Sequence, residues 1–323
     1  MKAVLLFSFL ALLNVSVAGE VTKINGAGAT FPAPLYSKWF SDYQMKNKDV
    51  QINYQAIGSG GGIQQLLEQT VDFGASDTPM NEEQIKKAQW PVMHVPTVLG
   101  AVTIVVNGAP EGLKLDGDTL AKIFDGTIKK WDDAAILKLN SKLKLPSNEI
   151  LVIHRADGSG TTAIFTEYLS VVSPTWKKNV GTGKTVNWPV GVGAKGNDGV
   201  TSMVQKTPMS IGYVELAYAE SAKLSKVALK NKAGEFIIPS TDSISKAALK
   251  VDQKMNVIDQ EGKGVYPISA FTFILIPENK KEGKLAMMRT FLKWALTEGQ
   301  TSAAALYYAP LPKSLAKNFV NKL

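Results

Sequence analysis

Cysteine is absent from this chain, and histidine nearly so: His94 and His154 are the only two among 323 residues. Without cysteine there can be no disulfide and no thiolate metal site. If the chain is exported, its stability must come from its core rather than from covalent staples. A thioether-linked lipid anchor is excluded on the same ground. Two histidines far apart in sequence give no basis for a metal centre either. An apolar run long enough to cross a bilayer is also missing, since a span needs roughly 20 residues. Basic residues outnumber acidic ones, 36 to 28, a formal charge of +8. Yet no dense Lys/Arg run interleaved with aromatics occurs. The nearest is Lys129-Lys130-Trp131, so the excess charge reads as a scattered solvated surface, with no nucleic-acid partner expected. Solenoid repeats and low-complexity linkers are absent too.

What is present begins with an N-terminal export pattern. Lys2 supplies a positive start, Ala3 to about Leu13 is apolar, and Ser16-Val17-Ala18 offers small residues at a cleavage site. Residues 1–18 read as a signal peptide, whose removal would lower the formal charge from +8 to about +7. The expected address is the periplasm, as a soluble protein without a lipid anchor. Apolar content of 45% and charged content of 20% suit a globular chain, and the length suggests about two domains. Short apolar runs alternate with segments of helical period, the pattern of an α/β fold. Val50 to Ile57, Val98 to Val106, Ile150 to Ile153 and Ile268 to Ile276 read as strands. Helical spacing recurs at Ile63, Leu66 and Leu67, at Ile164, Phe165, Tyr168 and Leu169, and at Leu285, Met288, Phe291, Leu292 and Ala295.

Three strand-to-helix junctions share one chemistry. They are Gly26-Ala27-Gly28-Ala29-Thr30-Phe31-Pro32, Ile57-Gly58-Ser59-Gly60-Gly61-Gly62 and Arg155-Ala156-Asp157-Gly158-Ser159-Gly160-Thr161. A helix start presents unpaired N–H groups and partial positive charge, so it draws anions. Glycine permits close approach, and Ser or Thr adds a hydroxyl donor. Pro32 is expected in a first helical turn, where its missing N–H costs nothing. Each junction alone is an ordinary capped helix; three together, one led by an arginine, point to an anion. None fits a Walker loop or a dinucleotide fingerprint. Asp132-Asp133 reads as a helix start rather than a Mg²⁺ site. A rival reading is a secreted phosphatase or serine hydrolase with Ser59 or Ser159 as nucleophile and a histidine as base. His154 should face away from Arg155 by strand alternation.

These residues resemble the phosphate-binding proteins (PstS type) of bacterial ATP-driven phosphate uptake. The three junctions stand in that family's order together with Asp72-Phe73-Gly74-Ala75-Ser76-Asp77, Gly196-Asn197-Asp198-Gly199, Ile211-Gly212-Tyr213-Val214-Glu215 and Phe273-Ile274-Leu275-Ile276. The resemblance implies a two-lobed periplasmic-binding-protein fold of type II, each lobe a central mixed sheet flanked by helices. Residues 19–106 with 268–323 would form lobe I and 107–267 lobe II, with hinges near Val106 and Pro267. It implies a monomeric, non-catalytic receptor without cofactor or metal that delivers inorganic phosphate to a membrane permease. Thr30, Phe31 and Ser59 would donate from one lobe and Arg155, Ser159, Gly160 and Thr161 from the other. Asp157 would hold Arg155, and Asp77 would accept a proton from the ligand. The acceptor is informative, because an ionised carboxylate only accepts: it suits protonated phosphate and opposes bare sulfate.

Overall fold

The computed structural model describes residues 21–251, 255–278 and 282–323, so the expected signal peptide lies outside the described residues. The chain opens with β1 (Thr22–Gly28), α1 (Ala33–Lys46), β2 (Val50–Ala56), α2 (Ser59–Leu67), β3 (Phe73–Ser76) and α3 (Glu82–Lys87). The long β4 (Val92–Asn107) is followed by β5 (Lys114–Leu115), α4 (Gly117–Phe124), α5 (Ala134–Leu139) and β6 (Leu151–Arg155). Next come α6 (Gly160–Val172), α7 (Pro174–Asn179), β7 (Val192–Ala194), α8 (Gly196–Lys206), β8 (Ser210–Glu215) and α9 (Leu216–Ser221). The short β9 (Ser225–Lys226), β10 (Ala228–Lys230) and β11 (Phe236–Ile237) lead to α10 (Thr241–Ala247). The chain ends with β12 (Ser269–Pro277), α11 (Lys284–Ala295) and α12 (Lys313–Lys322).

The alternating pattern thus yields an α/β protein of two lobes, with β4 running from one into the other. The strand order is β2-β1-β3-β12-β4-β8-β6-β7, with β9 also on β4, and β11-β10-β5 form a separate small sheet. Pairings are mixed: β1 runs parallel to β2 and β3, and β6 to β7 and β8, whereas β12 and β8 are antiparallel to β4. Residues Val92 to Ala101 of β4 pair with β12, and Val102 to Asn107 pair with β8. The change of partner falls between Ala101 and Val102, a few residues before the Val106 hinge expected from the sequence.

β4 also starts earlier than the Val98–Val106 run predicts. His94 and Pro96 interrupt the apolar pattern, but Pro96 pairs with Phe273 beside a register shift, and proline is tolerated at such a bulge. Pro32 stands one residue before the first turn of α1, at the N-cap, and Pro34 occupies the turn itself. Asp133 does open a helix: its carboxylate accepts from Ala135 N–H at 2.9 Å and caps α5. Leu285, Met288, Phe291, Leu292 and Ala295 form the buried face of α11, and Tyr36, Trp39, Phe40 and Tyr43 that of α1. The two faces meet where Phe291 packs on Phe40 and Tyr43 at 5.2 Å between ring centres. A smaller cluster of Val105, Ile153, Val200, Val204 and Val214 fills the space between β6, β8 and α8. This packing brings the carboxyl ends of β1, β3 and β6 to one cleft.

Candidate functional site

The three glycine-rich junctions converge. Thr30 and Phe31 follow β1, Ser59 is the first residue of α2, Asp77 follows β3, and Arg155 closes β6. Ser159 caps α6, its Oγ accepting from Thr162 N–H at 3.0 Å, and Gly160 and Thr161 are that helix's first residues. Thr30, Phe31, Ser59, Asp77, Arg155, Ser159 and Thr161 are all buried. Gly58 lies at φ +93°, and a side chain there would strike the Asp157 carboxylate. Glycine is therefore required where the first lobe's backbone approaches the second.

The hydroxyls are arranged as donors. Thr30 Oγ1 accepts from Asn197 Nδ2 at 2.8 Å and from Asn197 N–H at 3.2 Å. Thr161 Oγ1 accepts from Asn197 Nδ2 at 3.1 Å and from Arg155 Nη1 at 3.3 Å. An oxygen that accepts from fixed N–H groups keeps its own hydrogen for a further acceptor. Arg155 is clamped by Asp157, Nε to Oδ1 at 2.7 Å and Nη2 to Oδ2 at 2.5 Å, and Gly196 N–H adds a bond to the same carboxylate at 3.0 Å. The clamp leaves guanidinium N–H groups directed away from Asp157. Burial alone would raise the Asp157 pKa, but the bonds and charge of Arg155 hold it below the usual carboxylate range.

Asp77 is the acidic exception. Thr272 Oγ1 donates to its Oδ1 at 2.8 Å and Ser59 Oγ to its Oδ2 at 3.3 Å. Burial pushes its pKa up to about 6, against the lowering effects of Thr272, Arg155, Ser59 and Lys184. Glu215, at the junction of β8 and α9, has its pKa raised well above the usual carboxylate range by burial. Its Oε1 has no hydrogen-bond partner among the described residues.

Contacts across the cleft hold the lobes together. Gly60 N–H donates to Gly158 O at 2.7 Å, and Tyr218 Oη donates to Thr30 O at 2.6 Å. Sequence reasoning did not single out Asn197, Thr272, Tyr218 or Lys184. Asn197 stands in the quoted Gly196-Asn197-Asp198-Gly199 at the start of α8, a fourth glycine-marked helix start that could have revealed it. The other three carry no local signal.

The nucleophile–base arrangement of a hydrolase is not formed. Ser59 bonds to Asp77 and Ser159 to the α6 backbone. His94 accepts from Met80 N–H through Nε2 at 3.1 Å, and its Nδ1 is 3.2 Å from Val92 O. His154 stacks on Trp188 at 4.8 Å, away from the cleft. Among the described residues no group of three or more His, Asp or Glu is placed to hold a metal, and no helix is long and apolar enough to cross a membrane.

Comparison with known proteins agrees with this layout. Residues 15–298 match the PBP superfamily domain. The phosphate-binding protein PstS of Pasteurella multocida (strain Pm70) is 45% identical over 326 residues, covering 98% of this chain and 92% of its own. The phosphate-binding protein PstS of Methanocaldococcus jannaschii is 40% identical, over 92% of this chain and 85% of its own. Among solved structures, the phosphate-binding protein of Stenotrophomonas maltophilia superposes with a TM-score of 0.72 at 19% identity, covering 93% of this chain and 94% of that one. The periplasmic phosphate-binding protein PfluDING, solved with phosphate, gives 0.73 at 21% identity and 92% coverage of both chains. At such identities the structural likeness speaks for the fold.

Proposed function

Since the chain belongs to the PstS phosphate-binding proteins of the PBP superfamily, we propose that it captures inorganic phosphate between its lobes and passes it to a membrane permease. Thr30, Phe31 and Ser59 donate from lobe I; Arg155, Ser159, Gly160 and Thr161 donate from lobe II. Asp157 orients Arg155, and Asp77 takes the hydrogen bond from the guest's own proton. Asn197, which joins Thr30 to Thr161, positions both hydroxyls. The chain works in the periplasm as a monomer and does no covalent chemistry. Lobe I is the chain up to the middle of β4 together with β12 onward, and lobe II is the part between them, so β4 and the approach to β12 carry the hinge.

The observation that carries this reading is that donors of both lobes, with the hydroxyl hydrogens of Thr30 and Thr161 free, stand beside one buried acceptor, Asp77. A buried anion needs its lone pairs met almost completely. Charge-assisted bonds at roughly 1.5–3 kcal/mol each outweigh ordering costs when seven or more converge. Protonated phosphate can both accept from those donors and donate to Asp77, whereas sulfate near neutral pH has no proton to give. Calorimetric titration near pH 8 with phosphate, arsenate and sulfate tests this. Heat is expected from phosphate and arsenate alone, and Asp77→Asn should admit sulfate because an amide can donate. No heat with phosphate, or equal uptake of sulfate by the unmodified protein, would defeat the reading.

A further inference from the structure

The cleft just described, on the phosphate-binding reading, has a charge problem. Arg155 is the cation of the ligand set, but its charge is matched by the Asp157 carboxylate that clamps it. Asp77 adds a further negative charge whenever it is ionised. Taken alone, these three groups leave a site for an anion neutral or negative.

Lys184 stands where a compensating charge is needed. It lies in the segment between α7 and β7, which is fastened to α6. Trp176 Nε1 donates to Gly181 O at 3.0 Å, and Gly183 N–H donates to Thr166 Oγ1 at 3.1 Å. Ser159 N–H donates to the Lys184 carbonyl itself at 2.8 Å, and Trp188 is stacked on His154. The backbone of Lys184 is thereby fixed beside the N-terminus of α6. The residue is only partly exposed, and burial lowers its pKa while Asp77 pulls it back up. Its charge favours ionised Asp77 and, less than burial does, disfavours protonated His94, both groups of the other lobe.

We propose that Lys184 restores positive potential in the cleft, drawing the anion in and offsetting Asp77 across the lobe interface. No spacing or motif marks it, since it sits in an irregular segment at no helix start. A cation acting in this way speeds capture of an anion by steering, an effect that salt screens.

The test measures phosphate association rates by rapid mixing, near pH 8, at about 20 mM and about 500 mM salt. At low salt Lys184→Gln should associate about 3- to 10-fold more slowly than the unmodified protein, and the gap should close at high salt. Lys184→Arg, which keeps charge and stem, should stay close to the unmodified rate at both. The inference is overturned if Lys184→Gln matches the unmodified protein, if it is slowed equally at both salts, or if Lys184→Arg is slowed as much. Failure of the unmodified protein to bind phosphate would instead defeat the proposed function, a separate outcome of the same experiment.

Discussion

At the scale of single residues, the pKa of Asp77 decides what the cleft reads. Its carboxyl is pushed up to about 6, chiefly by burial. Above that pH it is ionised and can only accept; below it the group is protonated and can donate. The sign for ligand choice follows. Sulfate should bind only to the protonated form, so its affinity rises as pH falls through about 6 and levels off below. With one linked proton, sulfate should bind about 100-fold more weakly at pH 8 than on the acid plateau. Phosphate, which brings its own proton at pH 8, should lack this dependence. Competition of sulfate against phosphate at pH 5, 6, 7 and 8 measures it, and Asp77→Asn should give a flat profile. Sulfate affinity that stays constant over this range in the unmodified protein would show that Asp77 is not the proton reader.

At the scale of elements, the start of α6 concentrates the chemistry. Ser159 caps it, Gly160 and Thr161 begin it, and Asp77 and Ser59 of the other lobe press against it. A methyl group on Gly160 would stand 2.5 Å from Asp77 Oδ2 and closer still to Ser59 Oγ. Gly160→Ala should therefore hold the lobes apart and weaken phosphate binding by about 100-fold or more, since misplacement of about 1 Å at a fixed site has that scale of effect. Its folded stability should be unchanged or slightly higher, because alanine suits a helix better than glycine by about 1 kcal/mol. Thermal unfolding beside calorimetry separates the two, and unaltered affinity would contradict the closure argument. This junction was legible in the sequence because helix starts are built from local chemistry: a cap residue, a permissive glycine and a hydroxyl within four positions. The strands and α11 were legible from their apolar period for the same reason. Less visible were features set by distant partners. Asn197 earns its place through Thr30, which is 167 positions away. Thr272 reaches Asp77 over 195 positions. The first half of β4 was hidden by His94 and Pro96, and the two- and three-residue strands β5, β10 and β11 are too short to show a period.

At the scale of the whole molecule, the two lobes share β4 as a continuous strand, so they are joined through the sheet itself rather than by a loose linker. Relative motion must then be absorbed where β4 changes partner. There Val102 N–H donates to Ile268 O at 2.9 Å, and Tyr266 Oη donates to Val102 O at 2.9 Å. What favours the closed arrangement is a short set of bonds across the cleft plus whatever the guest contributes. A guest shifts such an equilibrium only by its difference in affinity for the two states. The bond from Tyr218 Oη, on α9, to Thr30 O, after β1, crosses from one lobe to the other and would be lost if the lobes parted. Removing one neutral hydrogen bond costs about 1 kcal/mol. Tyr218→Phe should therefore raise the phosphate dissociation rate by roughly 5-fold. Association should change little, because the encounter takes place before the lobes meet. Displacement of bound phosphate by excess arsenate in a chase experiment reads the dissociation rate directly. If Tyr218→Phe instead slows association and leaves dissociation as it was, Tyr218 acts during capture, and the closed state is held by the guest and the remaining contacts without it.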